Sequence, residues 1–336
     1  PSRAVATESA SSMLAEWATR RVVTTRDPTV DPMVGRAASV PRVAIVGPTA
    51  SGKSALALAV ARERPGTEIV AVDSMQVYRG MDVGTASPTP AERAAVVHHM
   101  VDVFDPSDEC TVGLFQRQAL EVLDDLDRRG VPSVLVGGTG LYVRAVVDRL
   151  EIPGRFPEVR AELENAGSEE LYRRLLVEDP DAAEKIEPTN RRRVVRALEV
   201  TIGSGRPFSS YGPGIDRYPP APFPLFGLRV RRSVLDLRID ARFRAQIDAG
   251  LLDEVDALAG GALSRTAGRA LGYQELLAHR RGECSLDEAI ERAVRRIRRF
   301  ARRQDRWFRR DPRIQWIDVN DNPLAGLDTV LSDFPS

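Results

Sequence analysis

Residues 47–54 read GPTASGKS, directly behind the apolar run Val43, Ala44, Ile45 and Val46. The spacing fits G-x-x-x-x-G-K-[ST], in which a glycine-rich backbone turns its N–H groups inward on a phosphate. Gly47, Pro48, Thr49, Ala50, Ser51 and Gly52 would form that cradle. Lys53 would reach terminal phosphate oxygens, and the Ser54 hydroxyl would be offered to Mg2+. The motif specifies a phosphate and a metal, and it leaves open which phosphate. Nucleoside triphosphate chemistry has a second requirement, an apolar strand that closes in Asp and holds the metal. VLVGGTG, residues 134–140, carries glycines where that acid would stand, whereas IVAVDS, residues 69–74, ends in Asp73 and Ser74. Taken alone, Asp73 is either an acid close to magnesium or a helix cap. A small-molecule kinase stays open on these residues.

These groups need elements to position them. A strand over 43–46, the loop, and a helix from Lys53 to about Arg64 make one βα unit. The second strand, EIVAVDS, delivers Asp73 at its carboxyl end, and VPSVLV delivers Gly137, Gly138 and Thr139 at the start of a new helix. Alternating strands and helices predict an α/β fold with a parallel sheet, its site at the carboxyl ends of the strands. Over 153–205 the pattern changes. PEVRAELENA, EELYRRLLVEDP and RRRVVRALEVTI place apolar residues at helical spacing with no strand between them, predicting a helical insertion. A Pro- and Gly-rich connector, 206–224, leads to the strand LFGLRV and then to long helices from about Ser233 onward. The core is therefore expected over 41–152 and 206–330. Residues 1–40 show no sustained period and read as a leader, with Met33 a candidate start.

With 43% hydrophobic and 29% charged residues in 336, the chain is globular and long enough for a large core and a second module. No run approaches the roughly 20 apolar residues that span a bilayer. Cys110 and Cys284 lack neighbours at metal spacing and read as free thiols of a reducing cytoplasm. The 48 basic and 48 acidic side chains cancel, but residues 291–310 hold ten arginines against Glu291 and Asp305. Phe300, Trp307 and Phe308 are interleaved with them. Arginine for bidentate phosphate contact and aromatics for stacking suit looped or single-stranded RNA better than a merely solvated helix face.

Several longer stretches occur in order: GPTASGKS, VDSMQVYRGMDVGTASP, HHMVDVFDPSD, VLVGGTGLY, DPDAAEKIEPTNRRRVVRALEV, RALGYQE and RRQDRWFRRDPRIQW. Together they resemble the tRNA dimethylallyltransferases, or isopentenyl-tRNA transferases, over about residues 41–320. The resemblance implies a P-loop core like that of nucleotide kinases and a helical insertion that embraces the anticodon stem-loop. It also implies a reaction: the prenyl group of dimethylallyl diphosphate moves to the exocyclic amine of the adenosine just 3′ of the anticodon. The loop would then hold an isoprenoid diphosphate as leaving group, with Mg2+ on Ser54, and no triphosphate would be consumed.

In this reading Asp73 is the base that takes the amine proton, Lys53 an electrophilic catalyst, and Thr139 a contact near the reacting centre or a helix cap. Ser74, Met75 and Gln76 would seat the target adenosine once it leaves its stack. The resemblance assigns RNA grip to Arg160, to Arg192, Arg193 and Arg196, and to Arg269, Gly272 and Tyr273. It extends that role to Arg302, Arg303, Gln304, Arg306, Trp307 and Arg309. Arg238 and Arg242, one helical turn apart in LDLRIDARF, would reach diphosphate oxygens or pair with surface acids. His98 and His99 would support structure. The family commonly carries Thr where Ile297 stands and Lys where Arg302 stands, which puts one minor phosphate contact in doubt. A monomer is expected. The competing readings are a P-loop kinase, an adenylate prenyltransferase and a non-catalytic RNA-binding module. None of them uses Lys53, Ser54, Asp73, the insertion and the arginine run together.

Overall fold

The computed structural model describes residues 40–212 and 214–334; the leader expected over 1–40, Met33 included, lies outside them except for Val40. The first half comprises β1 (Arg42–Val46), α1 (Lys53–Glu63), β2 (Glu68–Val72), α2 (Asp82–Thr85), α3 (Pro90–Ala95), β3 (His98–His99), α4 (Val112–Arg129), β4 (Ser133–Gly137) and α5 (Gly140–Val147). Four helices follow: α6 (Pro157–Glu164), α7 (Ser168–Glu178), α8 (Pro180–Lys185) and α9 (Arg191–Ser204). The chain then forms β5 (Leu225–Arg229), α10 (Arg232–Asp248), α11 (Leu251–Ala259), α12 (Tyr273–Arg280), α13 (Leu286–Phe308), β6 (Ile314–Asp318) and α14 (Leu327–Ser332).

All six strands are parallel, in the order β3-β2-β4-β1-β5-β6. Strands buried on both faces read as unbroken apolar runs, which is why VAIV, IVAV and VLV carry no alternation. Val43 and Ile45 face one layer, with α1, Phe334 and Val330; Ala44 and Val46 face the other, with Phe115, Leu235, Phe243 and Phe308. Successive strands leave β1 toward β2 on one side and β5 on the other, so β1 sits at a topological switch. His98 and His99 form the short edge strand, where His99 pairs with Glu68. β6, at the opposite edge, was not anticipated from the sequence. Cys110 is buried, and burial pushes its thiol up to about 12.

Helices α6–α9 bury an apolar cluster of their own, including Leu163, Leu171, Leu175, Val194, Val195 and Leu198. The root of this unit is held by Glu199, only 2% exposed, which accepts from the Phe156 N–H at 3.0 Å, from Arg160 at 3.1 Å and from Arg196 at 2.8 Å. Arg196 also donates to the Pro153 carbonyl. Two arginines expected to face RNA thus brace the entry and exit of the helical unit. Arg192 and Arg193, in the first turn of α9, are exposed. Breaking a buried ion pair from one side leaves the other charge uncompensated. Glu199→Ala is therefore expected to weaken this unit by about 2–3 kcal/mol. Amide exchange should accelerate along α9 while α1 keeps its protection; equal protection in both helices would show that the carboxylate does not hold the root.

Candidate active site

The carboxyl ends of β1, β2 and β4 bring three separate sequence stretches together. After β1 the loop turns through Gly47 and through Ala50 and Gly52, the latter two in left-handed backbone at φ 61° and 98°. At Gly52 a side chain would be excluded twice, by φ and by Pro323, whose Cβ lies 2.5 Å from the place a Cβ would occupy. Glycine is needed again at 138. A Cβ there would meet the Gln304 amide at 2.6 Å, the Gly47 carbonyl at 3.2 Å and the Lys53 ammonium at 3.5 Å.

Gln304 of α13 was expected on the RNA side and is instead turned inward. It is 6% exposed, accepts from the Thr49 N–H and donates to the Gly138 carbonyl, both at 2.9 Å. Its side chain therefore joins the phosphate loop to the end of β4. Lys53 Nζ donates to the Pro48 carbonyl at 2.9 Å. Burial pulls its pKa down to about 8; the Asp73 charge opposes this shift and the Arg242 charge adds to it. The Ser51 hydroxyl is fully buried without a hydrogen-bond partner, an orphan inside the loop.

A cavity of about 280 Å3 opens beside the loop. Thr49, Ala50, Asp73, Ser74, Met75 and Thr139 line its inner end. Asp73 Oδ1 accepts from the Met75 N–H at 2.9 Å, which fixes the carboxylate. Thr139 begins α5 but makes no side-chain cap; its hydroxyl lies 3.3 Å from that of Ser74. Facing them, α10 contributes Ile239, Arg242, Phe243 and Gln246, and α13 contributes Arg296, Ile297, Phe300 and Arg303. Arg269, Leu271 and Tyr273 close the third side. The cavity is thus part oxygen-rich, part cationic and part apolar.

The α10 stripe 239, 242, 243 and 246 has helical spacing, and it settles which of the two paired arginines enters. Arg242 does so; its pKa is pulled down by burial, with Asp73 opposing. Arg238, expected to touch diphosphate, lies one position before the stripe and donates to the carbonyls of Val319 and Asn320. Gln76 does not line the cavity but holds the carbonyls of Thr85 and Ala86. Tyr273 gives its hydroxyl to Glu254 at 2.6 Å, and Glu254 also accepts from the N–H groups of Asp82, Val83 and Gly84. Gly272, at φ 93°, lies against Phe243, and Trp307 packs on Gly140. Arg302, Arg306 and Arg309 point away from this cavity into a separate groove. Gln246 and Glu254 were outside the residues chosen from the sequence, whereas Arg242 was chosen there beside Arg238 and Phe300 as one of the aromatics among the arginines.

Hard oxygens suitable for a divalent ion are present in Ser54, exposed in the first turn of α1, and in Asp73. Among the described residues no three or more His, Cys, Asp or Glu gather into a metal cage.

A parallel α/β sheet with a P-loop at its switch point, beside a fixed carboxylate at the inner end of a lined cavity, defines a protein of the P-loop class. Comparison with known proteins narrows this. The chain belongs to the IPP transferase family, whose model matches residues 76–311, and an isopentenyl transferase model matches residues 42–100. It is 52% identical over 285 residues to the tRNA dimethylallyltransferase of Streptomyces coelicolor, covering 82% of this chain and 90% of that one. It is 50% identical to that of Kineococcus radiotolerans over 311 residues, 88% of this chain and 97% of the relative. Among solved structures, the tRNA isopentenylpyrophosphate transferase of Bacillus halodurans superposes with a TM-score of 0.64 at 36% identity, covering 88% of this chain and 97% of that one. A eukaryotic dimethylallyltransferase acting on tRNA gives 0.71 at 26% identity, covering 87% and 77%.

The lowered Lys53 pKa has a signed consequence. The free protein loses this positive charge as pH rises through about 8. An anion that needs the ammonium should bind progressively more weakly above that pH, approaching tenfold per pH unit, and should be insensitive to this group well below it. Inorganic diphosphate titrated calorimetrically at several pH values should show this dependence in the parent and lose it in Lys53→Met. Identical profiles for the two proteins would remove Lys53 from the anion site.

Proposed function

We propose that the cavity transfers the dimethylallyl group of dimethylallyl diphosphate to the exocyclic amine of the adenosine 3′ to a tRNA anticodon. The observation that carries this reading is the meeting of the phosphate loop, the Asp73 carboxylate and an apolar wall in one cavity of about 280 Å3. A diphosphate, an amine to be deprotonated and a hydrocarbon each have a matching surface there. The names of the relatives at about 50% identity supply the same substrate class.

In the proposed reaction the C1–O bond to diphosphate breaks and takes its electron pair to the leaving group, while a bond forms between C1 and the adenine amine. Asp73, held by the Met75 amide, takes the proton released from that amine. Lys53, Arg242 and the loop amides face the charge that grows on the departing diphosphate. Ser54 would hold Mg2+ together with diphosphate oxygens, and that ion would supply Lewis-acid stabilisation of the leaving group. Thr139 and Ser74 present hydroxyls beside the base. Ile239, Phe243, Ile297 and Phe300 exclude water from the allylic centre, where water would compete with the amine. Arg269 and Arg303, on the cavity walls, are placed to receive the RNA strand that delivers the adenosine.

Labelled dimethylallyl diphosphate, Mg2+ and unmodified tRNA should give labelled RNA without ATP. Labelling of a small molecule only when ATP is present would replace this reading with a kinase. Asp73→Asn should lower the single-turnover rate by roughly 10²–10⁴-fold, the usual worth of a general base, and leave both substrate affinities nearly unchanged. A variant that transfers at the parent rate would assign the proton to another group.

A further inference from the structure

α13 has two working faces. Arg296, Phe300 and Arg303 look into the cavity, while Arg302, Arg306 and Arg309 look across the helix into a second hollow of about 720 Å3, at the side of the sheet bounded by β5 and β6. Its opposite wall is built by Arg229 at the end of β5 and by Arg231 and Arg232 at the start of α10, and Arg310 closes one end. Seven arginines therefore line this groove against two aspartates, Asp305 and Asp318.

The acids on hand do not neutralise them. Asp305 pairs with Arg309, Asp318 reaches Arg229 only at 3.9 Å, and Asp236 is shared by Arg232 and Arg298. Arg231 meets Asp321 at 3.7 Å, with both side chains largely exposed. Arg302, Arg306 and Arg310 have no carboxylate within 4 Å among the described residues. Trp316 lies beneath both Arg229 and Arg309, with ring centroids 5.6 and 5.8 Å from the guanidinium carbons, and so holds two of the charges at the groove wall. Like charges gathered this closely repel one another and are stabilised by a polyanion. Along α13 the span from residue 302 to residue 309 is about 10 Å, enough for more than one phosphate.

We propose that this groove is a second RNA site: it binds the sugar–phosphate backbone of the same RNA whose nucleotide enters the cavity, with α13 as the ridge between the two. The inference rests on the proposed RNA substrate. It adds Arg229, Arg231, Arg232 and Arg310 to the RNA surface, on elements distant in sequence from the arginine run. The contact is electrostatic and leaves the chemistry to the cavity.

The test uses Arg231→Gln/Arg310→Gln, two positions outside the cavity and the phosphate loop. Binding of an anticodon stem-loop RNA is measured against salt, together with single-turnover transfer at saturating RNA. The expected result is RNA affinity lowered about tenfold at moderate salt and a slope of log affinity against log salt flatter by roughly 1 to 2. The saturated transfer rate and the affinity for inorganic diphosphate should match the parent. Arg231→Lys/Arg310→Lys should restore most of the slope, because counterion release depends on charge. Parent-like affinity and slope in the Gln variant would overturn the groove, as would a Lys variant as impaired as the Gln variant. A parent protein that binds no RNA at all would overturn the substrate reading first and the groove with it.

Discussion

One side-chain amide holds this site together. Gln304 sits between the Thr49 N–H and the Gly138 carbonyl, so the phosphate loop, the end of β4 and helix α13 are fixed to one another by a single buried group. A buried amide with both ends satisfied is rigid, because losing either bond strands a polar group away from water. The close approach this requires is available only because residue 138 has no Cβ. Lys53 Nζ lies close to Gly138 as well, and Arg296, Ile297, Phe300 and Arg303 of the same helix α13 form one wall of the cavity.

Rigidity here serves electrostatics. Burial discourages charge on Lys53 and on Arg242, and the Asp73 carboxylate beside them works in the opposite sense. Two cationic groups held in poor solvation next to one anion are prepared for an incoming anion before it arrives. The apolar side of the cavity strengthens this, since water that would screen the charges is displaced by Ile239, Phe243, Ile297 and Phe300. The segment that closes the floor is tied down by another non-local device, the Glu254 carboxylate, which gathers three consecutive amides and the Tyr273 hydroxyl.

Arginines that look alike in the sequence do different work in the structure. Some are internal braces: Arg160 and Arg196 on Glu199, and Arg144 and Arg313 around Asp148 and the Tyr218 ring. Others line the cavity, as Arg242, Arg296 and Arg303 do. Seven more crowd the groove at the β6 side with too few acids. A chain with equal numbers of positive and negative side chains can therefore keep a strongly cationic surface, because its acids are committed to particular partners elsewhere.

The parallel sheet, the loop, the placing of Asp73 and the Gly-Gly-Thr turn were legible from local patterns. Each depends on short-range rules: doubly buried strands are continuously apolar, and tight phosphate turns demand glycine. β6 was not legible, because RIQWI is short, follows an arginine run and lies at an edge where only one neighbour enforces pairing. Nor was the choice of Arg242 over Arg238, two residues with the same chemistry one turn apart, which only the docking of α10 against the cavity decides. The bridging role of Gln304, which the sequence placed on the RNA side, and the part played by Glu254 escaped for the same reason, since partners of these residues lie 255 and about 170 residues away along the chain. Residue types and spacing determined which chemistry this protein can perform. Tertiary packing decided which copy of each group performs it, because hydrogen bonds and ion pairs are selected by distance in space and a sequence records only distance along the chain.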